Sequence, residues 1–321
     1  MNVGGPERPV GGLAVRAPSG VELRPAGRDD LSAVLGLLAE RPGGSPPAHL
    51  AAAKATWEVH LSSIDAAPFL ALADDEPAGL LLLSFRRRLN FATWEGWIPE
   101  LVVADRFRGR GIGRALLRVG LEEWRLRRAH RLSVDAWQDE EVARTLLSGL
   151  GFEESMLRFE MAPLRNEGLA VPEGVEIRRL TDADFEPVTR LVAEMGPHRS
   201  PVPNRMEAVH RAFRELIRRP RDGSLTAIAE GVPVGICTVE IRGTLRDIEP
   251  QAWIPELLVT EPMRGRGIGA ALLDAALTWA SEAGAESAVL ESARTREAAQ
   301  ALYRAAGFEP AGSVFTLLRD R

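Results

Sequence analysis

The chain has 321 residues, of which 45% are hydrophobic and 26% charged, and its net charge is −5. That length exceeds one ordinary core and suits two domains of roughly 150 residues each. A net acidic chain has no bulk attraction for nucleic acid or an anionic membrane surface. No stretch reaches ~18 apolar residues, and no basic start leads into an apolar core at the N-terminus. A cytoplasmic protein with no membrane or nucleic-acid partner is expected.

The single cysteine, Cys237, excludes an internal disulfide and a thiolate zinc site. It lies in the apolar run Val234–Val239 and reads as a buried strand position. The histidines, His49, His60, His130, His198 and His210, show no metal-ligand spacing, so no metal is expected. The basic clusters Arg86-Arg87-Arg88 and Arg125 to Arg131 stand in a chain with interspersed acids and read as solvated faces.

In chain order, residues 1–20 are rich in Gly and Pro and read as a flexible tail. Val21 to Arg24 is a short strand, followed by a helix with the acidic N-cap signal Asp29-Asp30. The Pro/Gly-rich loop Pro42 to Pro47 leads to a second helix. Phe69 to Ala73 and Gly79 to Phe85 read as a hairpin. A strand from Ile98 to Val103 runs into an Arg/Gly loop and a long helix. A strand at Leu132 to Ala136, a helix ending in Gly151-Phe152 and a strand at Met156 to Met161 close the series.

The series is then written again. Trp97 to Leu117 and Trp253 to Leu273 are identical at 15 of 21 positions, at an offset of 156 residues. The same offset links Pro77 to Pro233, Gly79 to Gly235, and Gly151-Phe152 to Gly307-Phe308. Strands are expected at Val175 to Arg178, Leu225 to Ala229, Gly235 to Ile241, Ile254 to Val259, Ala288 to Ser292 and Val314 to Leu318. The helix after the second Arg/Gly loop carries Ile268, Ala271, Leu272, Ala275, Ala276 and Trp279 in a three-four rhythm. A period this long means duplicated domains, because solenoid repeats run to about 50 residues. The expected division is copy one at 21–163, a linker at 164–174 and copy two at 175–321. Each copy is α/β, a mixed and mostly antiparallel sheet flanked by helices.

The Arg/Gly loops carry the chemistry. They are Arg108-Gly109-Arg110-Gly111-Ile112-Gly113 and Arg264-Gly265-Arg266-Gly267-Ile268-Gly269. Each follows a strand and opens a helix, where unpaired N–H groups and the positive dipole end meet an anion. Glycine lets the backbone come close and adopt positive φ, and the arginines suit a diphosphate. The alternative is a tight turn that needs glycine for its geometry alone. Gly265-x-Gly267-x-x-Ala270 also fits a dinucleotide-binding pattern with Glu291 as the ribose acid. Arg114 breaks that pattern in copy one, and Thr260 to Arg264 separate the strand from the glycines in copy two.

In Arg108, Gly111 and Gly113, and again in Arg264, Gly267 and Gly269, the sequence resembles the GNAT superfamily of acetyltransferases in a tandem, two-domain arrangement. The Glu-Leu-x-Val strand before each loop and the Gly-Phe after the last helix extend the resemblance over nearly the whole chain. It implies GNAT-like domains, acetyl-CoA as co-substrate, and transfer of an acetyl group to an amine of a small molecule or peptide. It implies that backbone N–H groups of Leu257, Leu258 and Val259, with Leu101, Val102 and Val103 in copy one, face the thioester oxygen. It further implies that Tyr303, just before Gly307-Phe308, protonates the departing thiolate, the alternative being a core tyrosine.

Glu256 and its twin Glu100 sit in apolar strands where a carboxylate is unexpected, so Glu256 is the candidate base. An edge position or a salt bridge is the other reading, and Glu291 is a second choice. Leu147 stands opposite Tyr303, so copy two is the expected catalytic copy and copy one the degenerate one. Acceptor selectivity is expected from Pro42 to Pro47 and from Pro197 to Pro201, with His198 a solvent-exposed loop residue. A non-catalytic acyl-CoA-binding or regulatory protein remains the alternative function, and oligomeric state is left open.

Overall fold

The computed structural model describes residues 15–40, 50–89, 91, 93–137, 141–194, 205–219, 221–243, 245 and 250–319. The loops Pro42 to Pro47 and Pro197 to Pro201, and most of the expected tail, lie outside them. The chain forms two compact units. Unit 1 runs to Phe85 and adds Gly96–Leu132; unit 2 takes Arg86–Glu95 and everything from Ser133.

Unit 1 contains β1 (Val21–Pro25), α1 (Leu31–Ala39), α2 (Leu50–Ser62), β2 (Phe69–Ala73), β3 (Glu76–Arg86), β4 (Glu95–Val103) and α3 (Ile112–Leu126). Its strands stand in the order β1-β2-β3-β4, and β2 pairs antiparallel with both β1 and β3. Gly79 on β3 has a packing reason: a Cβ there would meet Ile112, Leu116 and the Val102 carbonyl at 3.0–3.1 Å. The start of α3 therefore rests directly on the strand. Gly235 repeats this in unit 2, where a Cβ would meet Leu272 at 2.9 Å.

Unit 2 contains β5 (Arg131–Trp137), α4 (Glu141–Ser148), β6 (Glu153–Met161), β7 (Val175–Arg179), α5 (Phe185–Ala193), α6 (Met206–Ile217), β8 (Gly223–Ala229), β9 (Val232–Arg242), β10 (Gln251–Val259), α7 (Ile268–Glu282), β11 (Ser287–Ala293), α8 (Glu297–Ala305) and β12 (Glu309–Leu318). Their order is β5-β12-β6-β11-β10-β9-β8-β7. β10 and β11 are parallel. The β6–β11, β6–β12, β9–β10, β8–β9 and β7–β8 pairs are antiparallel.

The closing strands of the two copies are exchanged. β6, the last strand of copy one, lies between β11 and β12 of copy two. β12 in turn stands beside β5 of copy one. Phe159 on β6 is fully buried in the core beneath α7 and α8, among Leu290, Tyr303 and Phe308. That core takes Ile268, Leu272 and Ala276 from α7, as the rhythm requires, and adds Leu273, Leu277 and Ala280, while Ala271 is buried on the same helix. Ala275 and Trp279 are only partly buried. Trp279 Nε1 instead donates to the Arg221 carbonyl at 3.3 Å.

A chain starting at Val175 holds all of copy two but lacks β6. β11 and β12 would then lose their shared neighbour and expose unpaired edges. Circular dichroism and thermal melting of that fragment should show no cooperative transition. A cooperatively folded monomer would mean that β11 and β12 pair directly.

Candidate active site

The second Arg/Gly loop leaves β10 through a short 3-10 turn, Glu261–Met263. Arg264 Nε donates to the Val259 carbonyl at 2.9 Å and folds the loop back onto the strand end. Gly265 and Gly267 have φ of 74° and 79°, the left-handed region that disfavours residues with a Cβ. A Cβ at Gly265 would meet nothing within 4 Å, and one at Gly267 only Pro172, at 3.7 Å. The first helical bond runs from Ala271 N–H to the Gly267 carbonyl. The N–H groups from Gly267 to Ala270 therefore point out of the helix start as a cradle a diphosphate oxygen can enter.

Copy one builds the same loop in unit 1. Gly109 and Gly111 have φ of 78° and 80°, Gly111 caps α3, and Arg108 Nε donates to the Val103 carbonyl at 3.3 Å. The arginines differ in their company. Arg108 meets Asp105 at 2.7 Å and Arg110 meets Asp74 at 3.3 Å. Among the described residues Arg264 and Arg266 make no such ion pair. Exposed pairs are worth about 0–1 kcal/mol, so Asp105 and Asp74 hold the copy-one arginines only weakly.

Glu256, Leu257, Leu258 and Val259 lie where β10 leaves its parallel neighbour. The β10–β11 ladder ends at Ile254–Leu290, although the strands continue to Val259 and Ala293. On its other edge β10 shifts register against β9 between Trp253 and Glu256. This bulge opens a gap in the sheet beside the carboxylate. Glu256 is 3% exposed and Leu258 7%, while Leu257 and Val259 are half-buried. In unit 1 Glu100 and Val102 are buried and Leu101 and Val103 half-buried.

Tyr303 on α8 is 7% exposed, with ring centroids 5.9 Å from Phe159 and 6.4 Å from Phe308. Burial foremost, then Cys237 and Glu256, push its phenol up to about 12, against a smaller opposing pull from Arg296. Cys237 is buried as expected, and burial pushes its thiol up, so it is not a nucleophile at neutral pH. Leu147, the counterpart of Tyr303, is buried on α4.

One expectation is corrected. Arg86 and Arg88 are not a solvated face, being 5% and 8% exposed. Arg86 Nη2 donates to Glu95 Oε1 at 2.8 Å and Glu291 Oε1 at 2.9 Å. Arg88 Nε donates to Glu95 Oε2 at 2.5 Å, and its Nη2 to Glu291 Oε2 at 2.7 Å. Arg88 Nη1 reaches the Pro255 carbonyl at 2.9 Å and lies 3.9 Å from Glu256 Oε1. Both guanidinium groups lie over the Trp253 ring. The signal in the sequence is Glu95, an acid just ahead of an apolar strand and within nine residues of both arginines, whereas the second carboxylate, Glu291, is remote in the chain.

A cavity of about 350 Å³ lies between α7 and α8, lined by Arg165, Ala270, Asp274, Leu277, Leu302 and Ala306 among others. The Asp274 carboxylate accepts N–H bonds from Glu167, Gly168 and Leu169 at 2.7–3.2 Å and pins the linker there. Among the described residues no cluster of three or more His, Cys, Asp and Glu could hold a metal ion. None of their helices is long and apolar enough to cross a membrane.

Tyr303 is the only tyrosine, so ultraviolet titration of the phenolate reads it alone. The midpoint should fall near 12 in the folded protein and near ~10 once unfolded. The fold favours the protonated phenol, so its stabilisation is complete below pH ~10 and lost as pH rises toward the folded value. A folded midpoint near ~10 would show that water reaches the ring.

The comparisons with known proteins agree with this geometry. The model of the acetyltransferase (GNAT) family matches residues 37–152 and 186–308. The mycothiol acetyltransferase of Clavibacter sepedonicus is 30% identical over 260 residues, covering 77% of this chain and 79% of that protein. A GCN5-related N-acetyltransferase structure from Sphaerobacter thermophilus superposes with a TM-score of 0.65 at 22% identity, covering 94% of this chain and 97% of that one. A tandem GNAT protein from the clavulanic acid biosynthesis pathway superposes with a TM-score of 0.61 at 18% identity, over 94% and 99%. With a family match in each repeat, glycine-rich loops at both helix starts and a relative 30% identical over 77% of the chain, this chain belongs to the GNAT acetyltransferase family and carries its unit in tandem.

Proposed function

We propose that copy two, residues 175–321, transfers an acetyl group from acetyl-CoA to an amine of a small molecule or peptide in the cytoplasm. The observation that carries this reading is the convergence on β10. Its C-terminal end feeds the glycine-rich loop, and its bulge carries the buried Glu256 at the point where β10 leaves the ladder with β11. Acetyl-CoA supplies the acetyl group as an activated thioester. The N–H groups from Gly267 to Ala270 hold the diphosphate, with Arg264 and Arg266 adding charge. Of the backbone N–H groups from Leu257 to Val259, those on the edge turned away from β9 are off the ladder with β11 and available to the oxygen that gains charge in the transition state. Glu256 takes a proton from the acceptor ammonium, and Tyr303 gives one to the leaving thiolate. The family and the mycothiol acetyltransferase relative support acyl transfer, and that relative favours a small-molecule acceptor.

Copy one is the degenerate copy on this reading. It has Leu147 in place of Tyr303, and its loop arginines are partnered by Asp105 and Asp74. It keeps the glycine cradle and so retains weak coenzyme binding.

Two outcomes follow. Gly267→Val should abolish calorimetric binding of coenzyme A at copy two, because the left-handed backbone and the approach to the N–H groups are both lost. Gly111→Val should cost far less turnover. Undiminished affinity in Gly267→Val would remove the site from copy two. Tyr303→Phe should keep coenzyme affinity and lower kcat by about 10²- to 10⁴-fold, measured as thiol release from acetyl-CoA with an amine panel. Wild-type kcat in that variant would dismiss Tyr303 as the acid.

A further inference from the structure

Resting on the assignment of transfer to copy two, we propose that Arg88, a copy-one residue, is a positioning residue for the copy-two site. It holds the β10 bulge and the Glu291 carboxylate in the geometry that Glu256 needs. A bulge leaves backbone groups off the ladder, and a buried carbonyl without a donor is costly. The Pro255 carbonyl, immediately before Glu256, receives its donor from Arg88, 167 residues away in the chain. The same guanidinium grips Glu291 on β11, the strand that diverges from β10 at this point. One rigid planar group therefore spans the two strands at the mouth of their gap.

The segment that delivers Arg88 is itself held. Leu89 is buried against Phe185, Val188, Ile236 and Leu258. The Arg87 guanidinium stacks 3.8 Å from the Trp94 ring and meets Glu215 at 3.5 Å. Glu95, accepting from both Arg86 and Arg88 and from Ser133 Oγ at 2.5 Å, closes the base of the segment. The positive charge of Arg88 is met by Glu95 and Glu291, so its influence on Glu256 at 3.9 Å is chiefly one of geometry.

The sequence does not repeat the arrangement in copy two. The 156-residue offset places Arg242 opposite Arg86, but Thr244 opposite Arg88 and Gln251 opposite Glu95. Copy two has no guanidinium at the position from which copy one supplies its own. This gives the degenerate copy a function that its own coenzyme loop does not explain.

The test is thiol release from acetyl-CoA by the full chain, with water and a panel of primary amines as acceptors, for wild type, Arg88→Lys, Arg88→Ala and Gly267→Val. Arg88→Ala should lower kcat by about 10²-fold, the size of effect a misplaced site produces, with calorimetric affinity for coenzyme A unchanged. Added guanidinium ion should restore part of the rate. Arg88→Lys should fall between, because an ammonium can meet the carboxylates but lacks the fork that also reaches Pro255. If Arg88→Ala does not fold, Arg88→Lys decides alone. A lowered melting temperature with wild-type kcat, or a loss confined to coenzyme affinity, would overturn the inference. If Gly267→Val is inactive while both Arg88 variants keep full kcat, the inference fails and the transfer reading stands. If wild type releases no thiol, or Gly267→Val retains full activity, both fall together.

Discussion

Backbone pairing on both edges of Glu153–Met161 is the interaction on which unit 2 rests. β6 pairs with β11 along one edge and β12 along the other. Without it β11 would end the sheet at the strand that bears Glu291, and β12 would have no place beside it. Because the strand comes from copy one, the chain must run through both repeats before the sheet around Glu256 and Tyr303 is complete. Phe159 ties this pairing to the site directly, since the ring that fills the core beneath α8 is the one against which Tyr303 packs.

The second constraint is electrostatic. Two arginines and two glutamates, Arg86, Arg88, Glu95 and Glu291, are brought together out of water. Removing a charge from water costs several kcal/mol, which is offset only where geometry and hydrogen bonding are complete. The paired contacts offset part of that cost, and Trp253 adds an aromatic face beneath both guanidinium groups. Such a cluster contributes little net stability against an apolar core of the same shape, and breaking it by removing one partner costs about 3–5 kcal/mol. It therefore specifies where the 86–95 segment must lie.

The two copies have kept the same loop in different surroundings. In each, a strand ends, an arginine folds back onto the last carbonyl, two glycines take left-handed backbone and a helix begins. The divergence lies in the neighbours. Asp74 and Asp105 occupy the arginines of copy one, and Leu147 replaces the phenol. The asymmetry extends to the fold: copy two keeps the phenol, and copy one lends unit 2 a closing strand and an arginine-bearing segment.

Much of the molecule was legible in the residues themselves. The 156-residue repeat, the strand–loop–helix order, the glycines of both loops and the buried cysteine are local features. They are set by side-chain alternation, helical rhythm and the steric freedom of glycine, all of which act within a few residues. Glu256 stood out because a carboxylate in an apolar strand needs a reason. The sequence could not say which sheet β6 and β12 would join. Each copy ends in a strand of similar length, and nothing local to either states its neighbour; the choice depends on which long-range arrangement buries Phe159 and leaves no open edge. Nor could it distinguish Arg86 and Arg88 from surface charge, because a guanidinium is drawn into the interior only by carboxylates that meet it in space. Those carboxylates, Glu95 and Glu291, lie on strands nearly two hundred residues apart, and only the tertiary fold brings their charges to the same point.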